Sequence, residues 1–301
     1  MVNARREYRL FIALAGRTNV GKSTLMNRIL GKKVAIVSDK PQTTRNKILG
    51  VLTREDAQLV FLDTPGIHKP RHKLGERLVK VAQGAFKEVD AIFLLVEALE
   101  PPGPGDRYVA EQLAGLSTPV ILVLNKIDLI KRDDLLPAIE AYNAIGKFAE
   151  VVPVSALTGE NTGRLVEVAA GCLPPGPRYY PDEMITDRPE SFIMSELIRE
   201  KVLLLTSQEV PHSVAVMVEE LVERPNDVLA VRAVIYTEKE SQKGILIGKG
   251  GQTLKKIGQL AREEMEALFG TKVFLELWVK VKSDWRKKEA YLKNFGYRAK
   301  E

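Results

Sequence analysis

The 301-residue chain contains a single cysteine, Cys172. An intrachain disulfide is therefore excluded, and a reducing compartment is expected. Long hydrophobic runs are missing too: no stretch approaches the roughly 18–20 apolar residues needed to span a bilayer. Arg5 and Arg6 followed by the apolar residues 10–15 have the outline of a secretory leader. The apolar part is too short for that role, and the segment reads better as a buried strand. Charge of one sign is not dominant either. A formal surplus of +6 hints at an anionic partner but decides little. What remains is the composition of an ordinary soluble globular protein, 45% hydrophobic and 28% charged. The length suits about two domains, each able to bury its own core.

The densest information lies near the start. Gly16-Arg17-Thr18-Asn19-Val20-Gly21-Lys22-Ser23-Thr24 matches the phosphate-loop pattern of two spaced glycines followed by lysine and a hydroxyl residue. Such a loop turns successive backbone N–H groups into one hollow that suits phosphate oxygens. Lys22 can set its ammonium against the β- and γ-phosphates, and the Ser23 hydroxyl can ligate Mg2+. An apolar run over 10–15 precedes the loop. Leu25, Met26, Ile29 and Leu30 follow at helical spacing and stop at Gly31. Strand, loop and helix in this order would place phosphate on a helix N-terminus, where the dipole favours anions.

Downstream, Ser38-Asp39-Lys40-Pro41-Gln42-Thr43-Thr44-Arg45 is polar and aperiodic. It reads as a mobile loop able to offer a threonine hydroxyl to Mg2+ and to rearrange when the γ-phosphate leaves. Thr44 is favoured, although spacing alone does not separate it from Thr43. A hairpin over 47–53 and 58–62 then runs into Asp63-Thr64-Pro65-Gly66. An acidic residue at a strand end fits a second, water-mediated Mg2+ contact, and the Gly66 N–H can approach a γ-phosphate. Ile67 follows where many GTPases place the glutamine that orients the attacking water, and it has no group for that task. The basic stretch 68–73 reads as solvated loop, with His68 and His72 not taken as general bases. Buried strands are expected over 91–96, 119–124 and 151–154, with a helix over 106–116. The second of these strands ends in Asn125-Lys126-Ile127-Asp128. The Asp128 carboxylate can accept two hydrogen bonds from guanine N1 and N2, Lys126 can lay its stem along the ring, and Asn125 can tie this loop to the phosphate loop. The last strand leads to Ser155-Ala156-Leu157, where the Ala156 N–H suits guanine O6.

These elements, in this order and at these strand ends, resemble a small Ras-like GTPase domain and, within it, the Era family. The loop GRxNVGKST, the PQTTR stretch and a hydrophobic residue after DTPG carry the resemblance. It implies that Asn19 can hold a K+ ion that supplies positive charge in the transition state, in place of an arginine finger. Thr18 stands where many members have proline, which loosens the geometry at Asn19.

A second domain follows a joint. Residues 173–181 hold four prolines and read as a semi-rigid linker. The expected division is a GTPase domain over 1–173, a linker over 174–182 and a nucleic-acid-binding domain over 183–301. Beyond the joint, Ile193, Leu197, Val202 and Leu205 suggest an amphipathic helix with Glu196, Arg199, Glu200 and Lys201 on its outer side. Strands are expected over 213–221 and 228–236. Gly248-Lys249-Gly250-Gly251 then separates two helices, the second over 252–269, and a strand follows over 273–281. This is the order of a type II KH domain. Its GxxG loop lets a nucleic-acid backbone approach closely, beside a groove for about four single-stranded bases. Lys249, with Lys243, Lys255 and Lys256 nearby, would neutralise phosphates. Residues 183–301 hold 20 Lys/Arg against 19 Asp/Glu, so binding should be local rather than a broad grip on duplex. The basic cluster Lys280, Lys282, Arg286, Lys287 and Lys288 reads equally as a phosphate contact or a solvated face.

Along nearly its whole length, including ITDRPESF, SELIREK, IGKGGQTLKKIG and LELWVKVKSDWR, the chain resembles the Era family. The fold class expected is thus α/β, a P-loop Ras-like GTPase domain followed by an α+β type II KH domain. The resemblance implies GTP/GDP and Mg2+ as ligands, with K+ as an added ion. It implies the 3′ end of 16S rRNA and the small ribosomal subunit as partners, and a monomeric cytoplasmic protein with peripheral contact at the inner membrane. The main expectation is a slow GTPase whose nucleotide state gates RNA binding. Coupling is expected through the contact between domains, at the basic stretch after Gly66 and the linker. The alternatives are a GTP-dependent RNA-binding module with idle hydrolysis, which Ile67 favours, and a GTPase of tRNA modification.

Overall fold

Strand runs that are apolar on both faces demand cover on both faces, and this requirement shapes the first half of the chain. The computed structural model describes residues 8–55, 57–67, 73–171 and 178–297. Its first half builds a six-stranded sheet in the order β2-β3-β1-β4-β5-β6. The strands are β1 (Tyr8–Ala15), β2 (Ile48–Thr53), β3 (Ala57–Asp63), β4 (Ala91–Glu97), β5 (Val120–Asn125) and β6 (Glu150–Pro153). All neighbours are parallel except the β2–β3 hairpin. The helices are α1 (Lys22–Leu30), α2 (Lys73–Phe86), α3 (Pro104–Leu113), α4 (Leu135–Asn143) and α5 (Thr162–Ala170). Ala13, Ala15, Ile92, Leu94, Val96, Leu122 and Leu124 face Ala82 and Phe86 of α2, Val109 and Leu113 of α3 and Tyr142 of α4. Helix α3 starts two residues earlier than its periodicity suggests because Pro104 occupies the first helical position, where a missing N–H costs nothing.

The second half begins with α6 (Glu190–Leu205) and the short α7 (Val210–Ser213). Strands β7 (Ala215–Arg224) and β8 (Val228–Thr237) form an antiparallel pair, and β9 (Lys272–Val281) joins β8 in parallel. Between β8 and β9 lie α8 (Glu240–Ile247) and α9 (Gln252–Phe269), with residues 248–251 between the two helices. Met194, Leu197, Ile198 and Val202 of α6 pack with Val231, Ala233 and Ile235 of β8 and with Ile257, Ala261 and Met265 of α9. After β9, Trp285 is buried and donates its indole N–H to the Ser213 carbonyl at 2.8 Å; α10 (Glu289–Asn294) follows. The fold class is that expected: a Ras-like α/β GTPase domain followed by an α+β KH domain.

The described chain divides into two units. Residues 178–187 of the joint belong with the first. Arg178 donates to the carbonyls of Arg54 and Glu55, and the N–H groups of Tyr179 and Tyr180 donate to Gln58 Oε1. Residues 36–43 belong with the second unit, and Ile36 is part of its apolar core. The basic residues 68–72 and the joint residues 172–177, Cys172 among them, lie outside the described residues.

One expectation fails on α6. Glu196, Arg199 and Glu200 are not on a solvated side but are all buried. Arg199 donates to Glu196 and to the Thr43 carbonyl, and Glu200 accepts the Val37 N–H, so that residues 36–43 supply partners that helical periodicity does not reveal. Three residues of the basic cluster near the C-terminus form ion pairs, while Lys282 and Lys288 lie over the Tyr291 ring. Arg286 is held by Glu238, Lys287 pairs with Asp284 at 2.8 Å, and Lys280 lies 3.5 Å from Glu219.

Candidate nucleotide site and nucleic-acid interface

The loops that follow β1, β3, β5 and β6 lie at the C-terminal ends of their strands, the usual ligand edge of an open parallel sheet. After β1, the phosphate loop bends through Asn19 in the left-handed region, with φ 68°. Lys22 is buried, and its Nζ donates to the carbonyls of Gly16 at 3.2 Å and Arg17 at 2.6 Å. Burial pushes its pKa down to about 8, against the opposing pull of the Asp63 charge.

Asp63, at the end of β3, is buried, and burial raises its pKa against the pull of Lys22 and its hydrogen bonds. Its Oδ2 accepts hydrogen bonds from Ser23 Oγ at 2.6 Å and from Thr44 Oγ1 at 3.2 Å. The two hydroxyls are 3.0 Å apart. Asp63 Oδ1 is buried without a partner among the described residues. An orphaned carboxylate oxygen beside two hydroxyl oxygens is a donor set that fits a hard divalent cation such as Mg2+. The Thr43 hydroxyl instead donates to the Lys40 carbonyl at 2.6 Å. Gly66 lies against Thr18: a Cβ at this position would come within 2.8 Å of the Thr18 backbone, so only glycine allows the approach. Ile67 turns into the apolar core and donates its N–H to the Gly16 carbonyl at 3.2 Å.

Asn125, at the end of β5, ties three loops together. Its Nδ2 donates to the Val20 carbonyl at 2.8 Å, and its Oδ1 accepts the Ala156 N–H at 2.9 Å. The single Ala156 donor, assigned from sequence to guanine O6, is thus committed here to Asn125. Lys126 adopts φ 67° and pairs with Glu97. Asp128 lies exposed in a short helical turn, and Ser155 Oγ accepts the Thr158 N–H at 3.1 Å. Leu157 is exposed.

Three supports escaped the sequence reading. Glu97 is opposite Asn125 in the β4–β5 register and holds Lys126. Arg28 of α1 donates to the carbonyls of Ala156 and Leu157. Arg17 donates to buried Asp106 at 2.7 Å, and Asp106 also accepts the Gly103 N–H at 3.0 Å. None of these pairs is close in sequence, and a strand register was needed to see the first.

In the second unit, Gly248, Gly250 and Gly251 all have positive φ. At Gly248 (φ 72°) a Cβ would meet Thr253 Oγ1 at 2.2 Å, so the turn into α9 admits no side chain there. Lys249, Lys255 and Lys256 are exposed around this turn, whereas Lys243 is half-buried and 3.8 Å from Glu240.

Residues 11–126 match the family described as 50S ribosome-binding GTPase, and residues 209–286 match the KH domain family. A structure of an Aquifex aeolicus Era variant bound to GDP·AlF4− is 41% identical, with a TM-score of 0.94, over 97% of this chain and 100% of that one. A structure of Era with MgGDPNP and nucleotides 1506–1542 of 16S ribosomal RNA matches with the same identity, TM-score and coverage. No helix among the described residues is long and apolar enough to cross a membrane.

Proposed function

The chain belongs to the Era family of GTPases, and on that premise we propose that it is an assembly factor of the small ribosomal subunit. It hydrolyses GTP slowly and holds the 3′ end of 16S rRNA in its KH groove, with the grip gated by nucleotide state. The observation that carries this reading is the pairing, in one chain, of the strand-end nucleotide loops with the GxxG turn on a KH frame.

On this reading each motif residue has a role. Gly16 and residues 19–24 hold the phosphates, with Lys22 as the point charge. Ser23, Thr44 and Asp63 form the magnesium locus; Thr43 faces the Lys40 carbonyl and is left out of it. Magnesium bound there would neutralise charge on the β- and γ-oxygens. Gly66 lends its N–H to the γ-phosphate. Asn125 frames the base site, Lys126 covers the ring, Asp128 reads guanine, and the 155–157 loop closes the base edge. Because Ile67 is buried in the core, no side chain at that position aligns the water. The charge stabilisation falls to Lys22, the loop N–H groups and a K+ ion at Asn19. Turnover should therefore slow markedly when KCl is replaced by NaCl; equal rates in both salts would remove K+ from the mechanism.

In the second unit, residues 248–251 admit the RNA backbone, and Lys249, Lys255 and Lys256 neutralise phosphates, with Lys243 sharing its charge with Glu240. The 16S target rests on the relative solved with that RNA. A monomeric, cytoplasmic protein with peripheral contact at the inner membrane is part of the proposal. The domain limits are proposed as 1–173 and 183–301 around the 174–182 joint. The test is a titration of an RNA matching the 3′ end of 16S rRNA, against a scrambled control, with a non-hydrolysable GTP analogue and then with GDP. Selective binding favoured by the analogue is expected. Binding indifferent to sequence or nucleotide would overturn the reading.

A further inference from the structure

Arg17 lies inside the phosphate loop, yet its side chain is held by helix α3. Its Nε donates to Asp106 Oδ1 at 2.7 Å, and the Asp106 side chain is only 1% exposed. The Arg17 stem lies so close to Gly105 that a Cβ there would meet its Cδ at 2.5 Å. The backbone of the same residue serves the site, because the Arg17 carbonyl accepts the Lys22 ammonium at 2.6 Å. Thr18, which follows, is the residue against which Gly66 packs, and Asn19 then turns through φ 68°. The limb 16–19 is thus gripped by α3 through Arg17 and packed on Gly66 through Thr18, and all of these residues belong to the first unit.

Capping of α3 does not account for the arrangement. Asp106 Oδ2 accepts the Gly103 N–H at 3.0 Å, and one acceptor oxygen suffices for that bond. An amide side chain would supply it without a buried charge. Taking a carboxylate out of water is costly unless it is paired, so the charge of Asp106 is matched to Arg17. The limb also needs holding. The left-handed turn at Asn19 costs a non-glycine residue free energy and persists only where its surroundings fix it. We infer that Asp106 and Arg17 are positioning residues for GTP hydrolysis: α3 holds the 16–19 limb so that the Arg17 carbonyl, Lys22 and the stretch beside Gly66 keep the geometry required as charge develops on the γ-phosphate. The inference rests on the proposed placement of that phosphate at Lys22 and Gly66. GDP lacks the γ-phosphate and leans on residues 21–24 and the base loops, so the clamp acts on the rate and not on GDP binding.

Two variants of the full chain test this. Gly105→Ala leaves both charges in place, but its methyl takes the space of Arg17 Cδ, so the guanidinium must shift. Gly105 lies within α3, where alanine favours the helix, and thermal stability should not fall. Arg17→Met with Asp106→Asn removes both charges and keeps an acceptor for the Gly103 N–H. Single-turnover GTP hydrolysis, GDP affinity and capture of aluminium fluoride by the GDP-loaded protein are measured alongside Tm. The expected result is a fall of about tenfold or more in the single-turnover rate, the scale of a displaced positioning group. Aluminium fluoride capture should weaken in parallel, with GDP affinity unchanged. An unchanged rate in either folded variant overturns the inference, as does a loss of GDP affinity equal to the loss of rate. Lys22→Ala is the control. If it too leaves the rate unchanged, the placement of the γ-phosphate fails; if it alone lowers the rate, the clamp fails.

Discussion

Lys22 makes nucleotide binding depend on pH. Burial holds its pKa at about 8 in the free protein, and phosphates placed against it favour the protonated form, so the bound value is higher. A group whose pKa rises on binding contributes fully below the lower value and loses its contribution above it. GTP affinity should therefore be flat below pH 8 and weaken by at most about tenfold per unit above it. Titrations at pH 7, 8 and 9 would show this. On the proposed role of Asp128, Asp128→Ala would remove two hydrogen bonds to guanine and should cost about 1.5–3 kcal/mol or more. In a competition assay, GTP affinity would fall at least about tenfold while the feeble ATP affinity would not. Ile67→Gln should not create a water-orienting residue, because position 67 is in the core. It should instead lower stability by about 1–3 kcal/mol, as an unpaired buried amide does, with no gain in single-turnover rate. The motif residues were legible one by one, since phosphate, magnesium and guanine chemistry each demand particular side chains at fixed spacing. Their supports Glu97, Arg28 and Asp106 were not, because a carboxylate or guanidinium that braces a loop has no local signature.

At the scale of the element, the GxxG turn and the start of α9 make a separable prediction. Lys249→Ala and Lys255→Ala should each reduce the slope of log affinity against log salt by about 0.7 for single-stranded RNA, with GTP turnover in the absence of RNA unchanged. Fluorescence anisotropy over a salt series measures the first and phosphate release the second. Elements were read well wherever periodicity had one cause. The runs in β1, β4 and β5 are apolar on both faces because helices cover both, and α9 runs over the residues expected of it. Helix α6 was read as amphipathic with Glu196, Arg199 and Glu200 outside, yet all three are buried. A charged residue on a helix is usually solvated, and only a distant backbone segment offering N–H and carbonyl groups reverses that.

For the whole molecule, coupling between nucleotide and RNA is a single free energy and must be reciprocal. Whatever factor the GTP analogue adds to RNA affinity, the 16S 3′-end RNA must add to analogue affinity, and calorimetry of both orders of addition checks the equality. The sequence by itself determined the two-domain order, the parallel sheet with its strand-end loops, the GxxG turn and the family. Each of these depends on residues near one another along the chain, or on apolar runs whose length and period leave few alternatives. Only the tertiary structure decided that residues 36–43 join the core of the second unit, that Thr44 and not Thr43 faces Asp63, and that charges on α6 are buried. The first and last of these depend on partners more than a hundred residues away, as between Thr43 and Arg199, while Thr44 meets Asp63 across 19 residues; spacing along a chain carries no information about which separated groups will meet.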